Sequence, residues 1–362
     1  MDTRLQHLRN LFQEQSLDAA LITSVPNIFY LTGYAGFLIE EREAYLFITK
    51  TDAYLFTNAL YLDEVKQSVR HVTIREINRY QPITKSLEEL ISKHALKKIG
   101  IEDHNLTAAE YKSLSSLPLT IEALNLINLR VRKTPDEIEA IATACAIGDK
   151  AFEHIITQIK PGVTEKEVAY GLDLFMKHQL ADSSFRSIVA FGKNSALPHH
   201  VSNNDRLLPN TCILMDFGVK ANNYCSDMSR TVFVGKASDA DKKVYETVLE
   251  AQKKAITYIE KALAANQEIS GAAPDAIARE HIEQQGFPTY PHGLGHGIGI
   301  EIHESPRLSP PSQSVLTNGM VFSIEPGIYL VNKMGVRIED LFAIQENKLV
   351  RLTNASSQLI EV

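Results

Sequence analysis

Apolar and polar positions change their period several times along this chain, and each change predicts an element. Leu5, Leu8, Leu11 and Phe12 recur at helical spacing, which predicts an amphipathic helix over residues 4–15. DAALIT (18–23) reads as a strand. AYLFITK (44–50) and AYLFTN (53–58), separated by Thr51 and Asp52, predict a hairpin, and KKIGIED (97–103) a further buried strand. Residues 1 to about 125 therefore read as one α/β unit. Its charged cluster Glu40, Glu41, Arg42 and Glu43 reads as a solvated turn.

The period then becomes helical. Thr134-Pro135-Asp136-Glu137 has the order of a helix start, with Thr at the cap, Pro first inside and acids in the first turn. That helix should run to about residue 158. Thr164 with Glu167 three residues on forms a capping box for the next. A second helical pair follows over residues 241–264 and 273–285, with strand-like segments after each pair. The plan of residues 160–350 is helix pair, strands, helix pair, strands, which suggests an internal duplication of weak sequence likeness. The expected fold class is α/β (α+β), divided into domains of residues 1–128 and 129–362.

Composition removes function classes more than it adds them. The 362 residues are 44% hydrophobic and 22% charged, with a net charge of −7. That balance offers no basic footprint for nucleic acid or an anionic membrane. No apolar run is long enough to cross a bilayer and the amino terminus carries no secretory pattern, so a cytoplasmic location is expected. Cys145, Cys212 and Cys225 show no CxxC spacing, so neither a disulfide framework nor a zinc knuckle is expected. Cys225 reads as a small apolar residue.

The chemistry concentrates in PHGLGHGIGIEIHESP (291–306), where His292, His296 and His303 stand among Gly293, Gly295, Gly297 and Gly299. Ile300 and Ile302 alternate with Glu301 and His303, so His303 is expected on a strand face and His296 on the tight glycine segment before it. Asp216 ends the apolar run ILM, and Asp227, 11 residues later, precedes SRTVFV. A hairpin would bring the two together. Glu325 closes VFSIE, and in GVRIEDLFAI (335–344) Arg337 and Glu339 share a face opposite Val336 and Ile338. Carboxylates are almost never buried unless paired or metal-bound. Four of them on apolar segments, with one imidazole, therefore point to divalent cations. The four charges of Asp216, Asp227, Glu325 and Glu339 call for two cations with a bridging hydroxide, a usual hydrolytic arrangement with the ions about 3.5–4 Å apart. Oxygen-rich ligation with one imidazole points to manganese, with cobalt or zinc as alternatives.

These motifs, DFG…YCSDMSRT, HGLGHGIG, SIEPGIY and VRIED, resemble the ligand motifs of the "pita-bread" metallopeptidases, which include methionine aminopeptidase, aminopeptidase P and prolidase. The resemblance covers residues from about 130 to 355. The preceding α/β domain, similar in placement to that of creatinase, aminopeptidase P and prolidase, extends it to nearly the whole chain and implies the proline-specific branch. It implies that Asp216 binds one metal, His296 and Glu325 the other, and that Asp227 and Glu339 bridge. Glu325 would also take the proton of the attacking water. His303 and His292 match histidines that stabilise the tetrahedral intermediate, and His199 in NSALPHH a substrate-pocket histidine. Its neighbour His200 stands where relatives often carry glycine. Arg337 matches an arginine that orients the ligands or the substrate's carboxylate end.

The implied activity is hydrolysis between an amino-terminal residue and proline, of aminopeptidase P or prolidase type, with a slight lean to short bacterial aminopeptidase P relatives. An Xaa-Pro bond lacks an N–H, and attack by a bridging hydroxide needs none. The family also implies a homodimer. Two other classes stay open: an inactive binding protein on the same fold, and a creatinase-like C–N hydrolase. Both typically lack metal ligands that are present here.

Overall fold

The computed structural model describes residues 2–362, which fold as two compact units divided after Arg130. The first is an α/β layer. Its elements are α1 (Asp2–Glu14), β1 (Ala19–Ile22), α2 (Val25–Thr32), β2 (Ala44–Thr49), β3 (Ala53–Thr57), α3 (Leu62–Ser68), β4 (Thr73–Glu76), α4 (Ile83–His94), β5 (Lys98–Ile101), α5 (Ala108–Leu114) and β6 (Thr120–Ala123). The strands form one sheet in the order β4-β3-β2-β1-β5-β6, with β2 and β3 as the expected antiparallel pair. Helices α2, α3, α4 and α5 and strands β4 and β6 were not anticipated, and α2 shows why. Its eight residues are apolar nearly all round and mostly buried, so no amphipathic stripe marks them. The cluster at residues 40–43 is no free turn. Glu43 is buried, and the Arg42 guanidinium donates to Glu110 and to the carbonyls of Thr23 and Asn105.

The second unit begins with α6 (Pro135–Ile156) and α7 (Glu165–His178), each opened by the expected capping box, at Thr134 and Thr164. The strands β7 (Asp182–Ser183), β8 (Ile188–Phe191), β9 (Thr211–Phe217), β10 (Val219–Ala221), β11 (Tyr224–Cys225) and β12 (Met228–Val234) follow. β8, β9 and β12 form an antiparallel sheet with β9 central, while β7, β10 and β11 form a small sheet of their own. The plan then repeats. Helices α8 (Asp239–Ala264) and α9 (Ala272–Gln284) precede β13 (Gly295–Gly297), β14 (Glu304–Leu308), β15 (Val321–Ile324), β16 (Gly327–Leu330), β17 (Met334–Arg337), β18 (Asp340–Gln345) and β19 (Lys348–Arg351). Here the main sheet runs β14-β13-β15-β18-β19, and β16 pairs with β17 alone. Each half of this second unit thus lays a helix pair against an antiparallel sheet, around its own cluster of buried apolar side chains.

The histidine-glycine run departs from expectation. His296 lies in strand β13, and His303 lies in the bend before β14. The glycines make the strand rather than interrupt it. A Cβ on Gly295 would stand 1.9 Å from the Ser323 carbonyl oxygen, and one on Gly297 would stand 2.1 Å from that of Ser305. Only glycine allows the neighbouring backbones that close. A register shift between His296 and Gly297 then turns the chain out of the strand. The apolar stretch 335–344 likewise breaks at Ile338 and Glu339, dividing β17 from β18.

Candidate functional site

The acids singled out by sequence meet at strand ends of the two halves. Asp216, one residue from the end of β9, pairs in register with Ser229 of β12, and Asp227 immediately precedes that strand. Glu325 immediately follows β15 and Glu339 immediately precedes β18. His296 Nε2 lies 3.3 Å from Glu325 Oε1 and 3.7 Å from Asp227 Oδ2. One ligand atom each from Asp227, His296 and Glu339 fall within 4.8 Å of one another.

These groups are held by hydroxyls and by one guanidinium. Ser229 Oγ donates to Glu339 Oε2 at 2.9 Å, and Ser323 Oγ donates to Glu325 Oε1 at 3.0 Å while accepting from the His296 N–H. Arg337 is almost fully buried, and its donors are committed. Nε donates to Ser229 Oγ at 2.7 Å, one terminal nitrogen to Tyr329 Oη at 2.8 Å, and the other to Asp216 Oδ2 at 2.6 Å. The His296 Nδ1–H faces the Gly297 carbonyl at 3.1 Å, which turns the Nε2 lone pair toward the acids. His292 donates from Nδ1 to the Gly293 carbonyl and accepts at Nε2 from Tyr329 Oη, at 2.8 and 2.9 Å.

The electrostatics record how costly this gathering is. Burial, reinforced by the charges of the neighbouring acids, holds the carboxyls of Asp227 and Glu339 well above the usual carboxylate range. Burial also pushes Glu325 up to about 7, against the opposing charge of Arg337. Burial and the nearby His303 ring push His296 down to about 3, and burial pushes His292 down to about 4, so both imidazoles are neutral near pH 7. The chemistry of the set matches divalent cations: one neutral imidazole and four carboxylates. Among the described residues, Asp216 Oδ1, Asp227 Oδ1 and Glu339 Oε1 are buried without a hydrogen-bond donor. Cations there would satisfy those oxygens and relieve the repulsion.

The site opens into a cavity of about 480 Å³. His199 and His303 line it from exposed positions, and the His303 ring stands edge-on to His296 at 4.4 Å between centroids. Every site residue named from sequence lines this one cavity: Asp216, Asp227, Glu325, Glu339, His199, His292, His296, His303 and Arg337. His200 does not line it and turns instead to Glu165. Sequence reasoning passed over Tyr329, Ser229, Ser323 and Arg307. Tyr329 stands in the same SIEPGIY motif as Glu325, so proximity alone was its signal. Arg307 lies opposite His296 across the β13–β14 pair, exposed at the cavity wall.

Residues 139–346 match metallopeptidase family M24, and residues 4–129 match the creatinase/prolidase N-terminal domain. The chain is similar to an Xaa-Pro dipeptidase of Pyrococcus furiosus, 34% identical over 366 residues that cover 99% of this chain and 100% of the relative. Among solved structures it is similar to an Xaa-Pro dipeptidase from Bacillus anthracis, with a TM-score of 0.93, 33% identity and 99% of each chain covered. It is also similar to an X-Pro aminopeptidase from Thermotoga maritima, with a TM-score of 0.85, 31% identity, and 96% of this chain and 98% of that one covered.

Proposed function

Since the chain belongs to metallopeptidase family M24 and is a metallo-exopeptidase, we propose that it hydrolyses the bond between an amino-terminal residue and proline with two divalent cations, and that its substrates are dipeptides. The observation that carries the reading is the set of buried, donor-less carboxylate oxygens facing a neutral His296 inside a cavity of peptide size. Asp216, Asp227, His296, Glu325 and Glu339 would hold the cations, with Asp227 and Glu339 as the shared ligands. Manganese is proposed first, then cobalt or zinc. Bound there, the cations would supply the Lewis acidity that makes water nucleophilic near neutral pH and polarises the scissile carbonyl.

The protein's own groups divide the remaining work. Ser323 holds Glu325 Oε1, so Oε2 is the atom left to take a proton from the attacking water and deliver it to the proline nitrogen. His303 is exposed to the cavity and would donate to the substrate carbonyl, while His199, also exposed there, would line the pocket that binds the proline side of the substrate. His292 acts with Tyr329 and Arg337 as a relay that fixes Asp216. Arg337 has its donors engaged and would orient that ligand rather than bind peptide. Among the described residues, Arg307 is the cationic group on the cavity wall that is exposed to it, suited to a dipeptide's terminal carboxylate. The dipeptide reading rests on it, and the names of the Pyrococcus furiosus and Bacillus anthracis relatives agree.

The test is release of alanine from Ala-Pro and Ala-Pro-Ala by metal-stripped protein, with and without manganese. Metal-dependent cleavage of Ala-Pro alone is expected. Glu325→Gln should lose at least about 100-fold in kcat with the fold intact. Cleavage of the tripeptide with equal efficiency would replace the dipeptide reading by an aminopeptidase P one. Inactivity on both peptides with manganese, cobalt and zinc would remove the proline-specific reading.

A further inference from the structure

Pro198 and His199 form part of the cavity wall, and they lie on a loop that is buried at Ser195 and Ser202 but open to solvent between Leu197 and Val201. His199 is exposed, and Leu197 beside it is 57% exposed. The loop leaves β8 at Phe191, passes through a short helical turn at Gly192–Ala196 and returns at Asn203. A single carboxylate fastens both of its ends. Glu165 is fully buried at the first position of α7, and Oε1 accepts from the Phe191 N–H and from Asn194 Nδ2, each at 2.8 Å. Oε2 accepts from His200 Nε2 at 2.7 Å and from the Asn203 N–H at 2.9 Å. The α7 N-terminus adds the Glu165 and Lys166 N–H groups, which donate to the carbonyls of Asp205 and Asn203.

A buried carboxylate is costly unless its oxygens are saturated. Here saturation is complete, and every donor comes from the segment that carries Pro198 and His199. The Pro198 carbonyl stands 3.5 Å from Arg337, at the outer limit of hydrogen-bond distance, so the loop is only weakly tied to the group that fixes Asp216.

We propose that Glu165 is a positioning residue for substrate binding, which, through His200, Asn203, Asn194 and the Phe191 amide, fixes the 192–203 loop so that His199 and Pro198 form the cavity wall. Glu165 touches neither substrate nor candidate metal ligand. It acts on KM through His199. This inference rests on the peptidase reading for its kinetic consequence but not for its structural one.

Two measurements on Glu165→Gln test it, because the amide sets an N–H donor against the Asn203 N–H while keeping side-chain size. In hydrogen–deuterium exchange, amides of residues 192–203 should exchange about tenfold faster while those of α8 stay unchanged. In kinetics on Ala-Pro, KM should rise about tenfold with kcat within about twofold, and in a His199→Ala background the same substitution should change KM less than about twofold. Unchanged loop exchange overturns the proposal, and so does a KM effect that adds fully to that of His199→Ala, or a fall in kcat with KM unmoved. If Glu165→Gln does not fold, His200→Leu removes one of the four bonds and is read the same way, with faster loop exchange and a KM rise of about threefold expected. If the wild-type protein cleaves neither peptide, the proline-specific reading falls while the exchange experiment still decides whether Glu165 holds the loop.

Discussion

His292 shows at the residue scale how the fold sets a proton. Its Nδ1–H is held by the Gly293 carbonyl and its Nε2 by Tyr329, and burial pushes its pKa from 6.5 down to about 4. The neutral ring is therefore the native one. As pH falls from 6.5 toward 4, the unfolded chain takes up a proton at this position and the folded chain does not, so stability present above pH 6.5 is lost across that window. The full loss is roughly 3 kcal/mol. Ring NMR should give a titration midpoint near 4, and His292→Gln should flatten the fall in urea stability over the same range; a midpoint above about 6 would refute it. The four candidate acid ligands were legible in sequence because each breaks a local rule, an acid closing or opening an apolar strand. Ser229, Ser323 and Tyr329 break no rule, since a hydroxyl beside a strand is ordinary. Their importance comes from partners such as Glu339, 110 residues from Ser229. Arg307 was hidden for the same reason, as only strand pairing places it opposite His296.

At the scale of elements, helices were the easier reading, because capping boxes at Thr134 and Thr164 are local chemistry and the structure contains both. The strand carrying His296 was harder. Its glycines signal close approach, and nothing local says which backbone approaches. The structure supplies that backbone, the Ser323 carbonyl. Gly295→Ala should therefore force β13 and β15 apart, costing at least about 2 kcal/mol and weakening manganese binding, since His296 stands on β13 and Glu325 immediately follows β15. Gly148→Ala is the internal comparison. That glycine lies within α6, and its added Cβ would meet only ordinary contacts at 3.7 and 3.8 Å. There helix propensity dominates, and a gain of up to about 1 kcal/mol is expected. Urea unfolding of the two variants measures both, and a Gly295→Ala protein as stable as wild type would refute the close-approach account.

At the scale of the molecule, the duplicated catalytic unit places its acids by symmetry. Asp216 lies one residue before the end of β9 and Glu325 immediately after the end of β15, while β12 and β18 begin just after Asp227 and Glu339. Two weakly similar halves thus contribute equivalent positions, and the charges they bring together repel until cations arrive. Stability and function are then opposed at Asp227. Its carboxyl is buried and held well above the usual carboxylate range, first by burial and then by the charges of Glu339, Asp216 and Glu325. Asp227→Asn removes that repulsion at nearly constant volume. In a chelator the variant should unfold at higher urea than wild type, by about 1 kcal/mol or more. Saturating manganese should reverse the order. Wild type would gain about 2.7 kcal/mol at a free ion concentration 100 times Kd, and the variant, lacking one shared ligand, would gain far less. Unfolding of both proteins in each condition settles the matter: a variant less stable than wild type in the chelator would mean that the acids are not strained against one another, and an equal manganese gain in both would mean that Asp227 holds no cation.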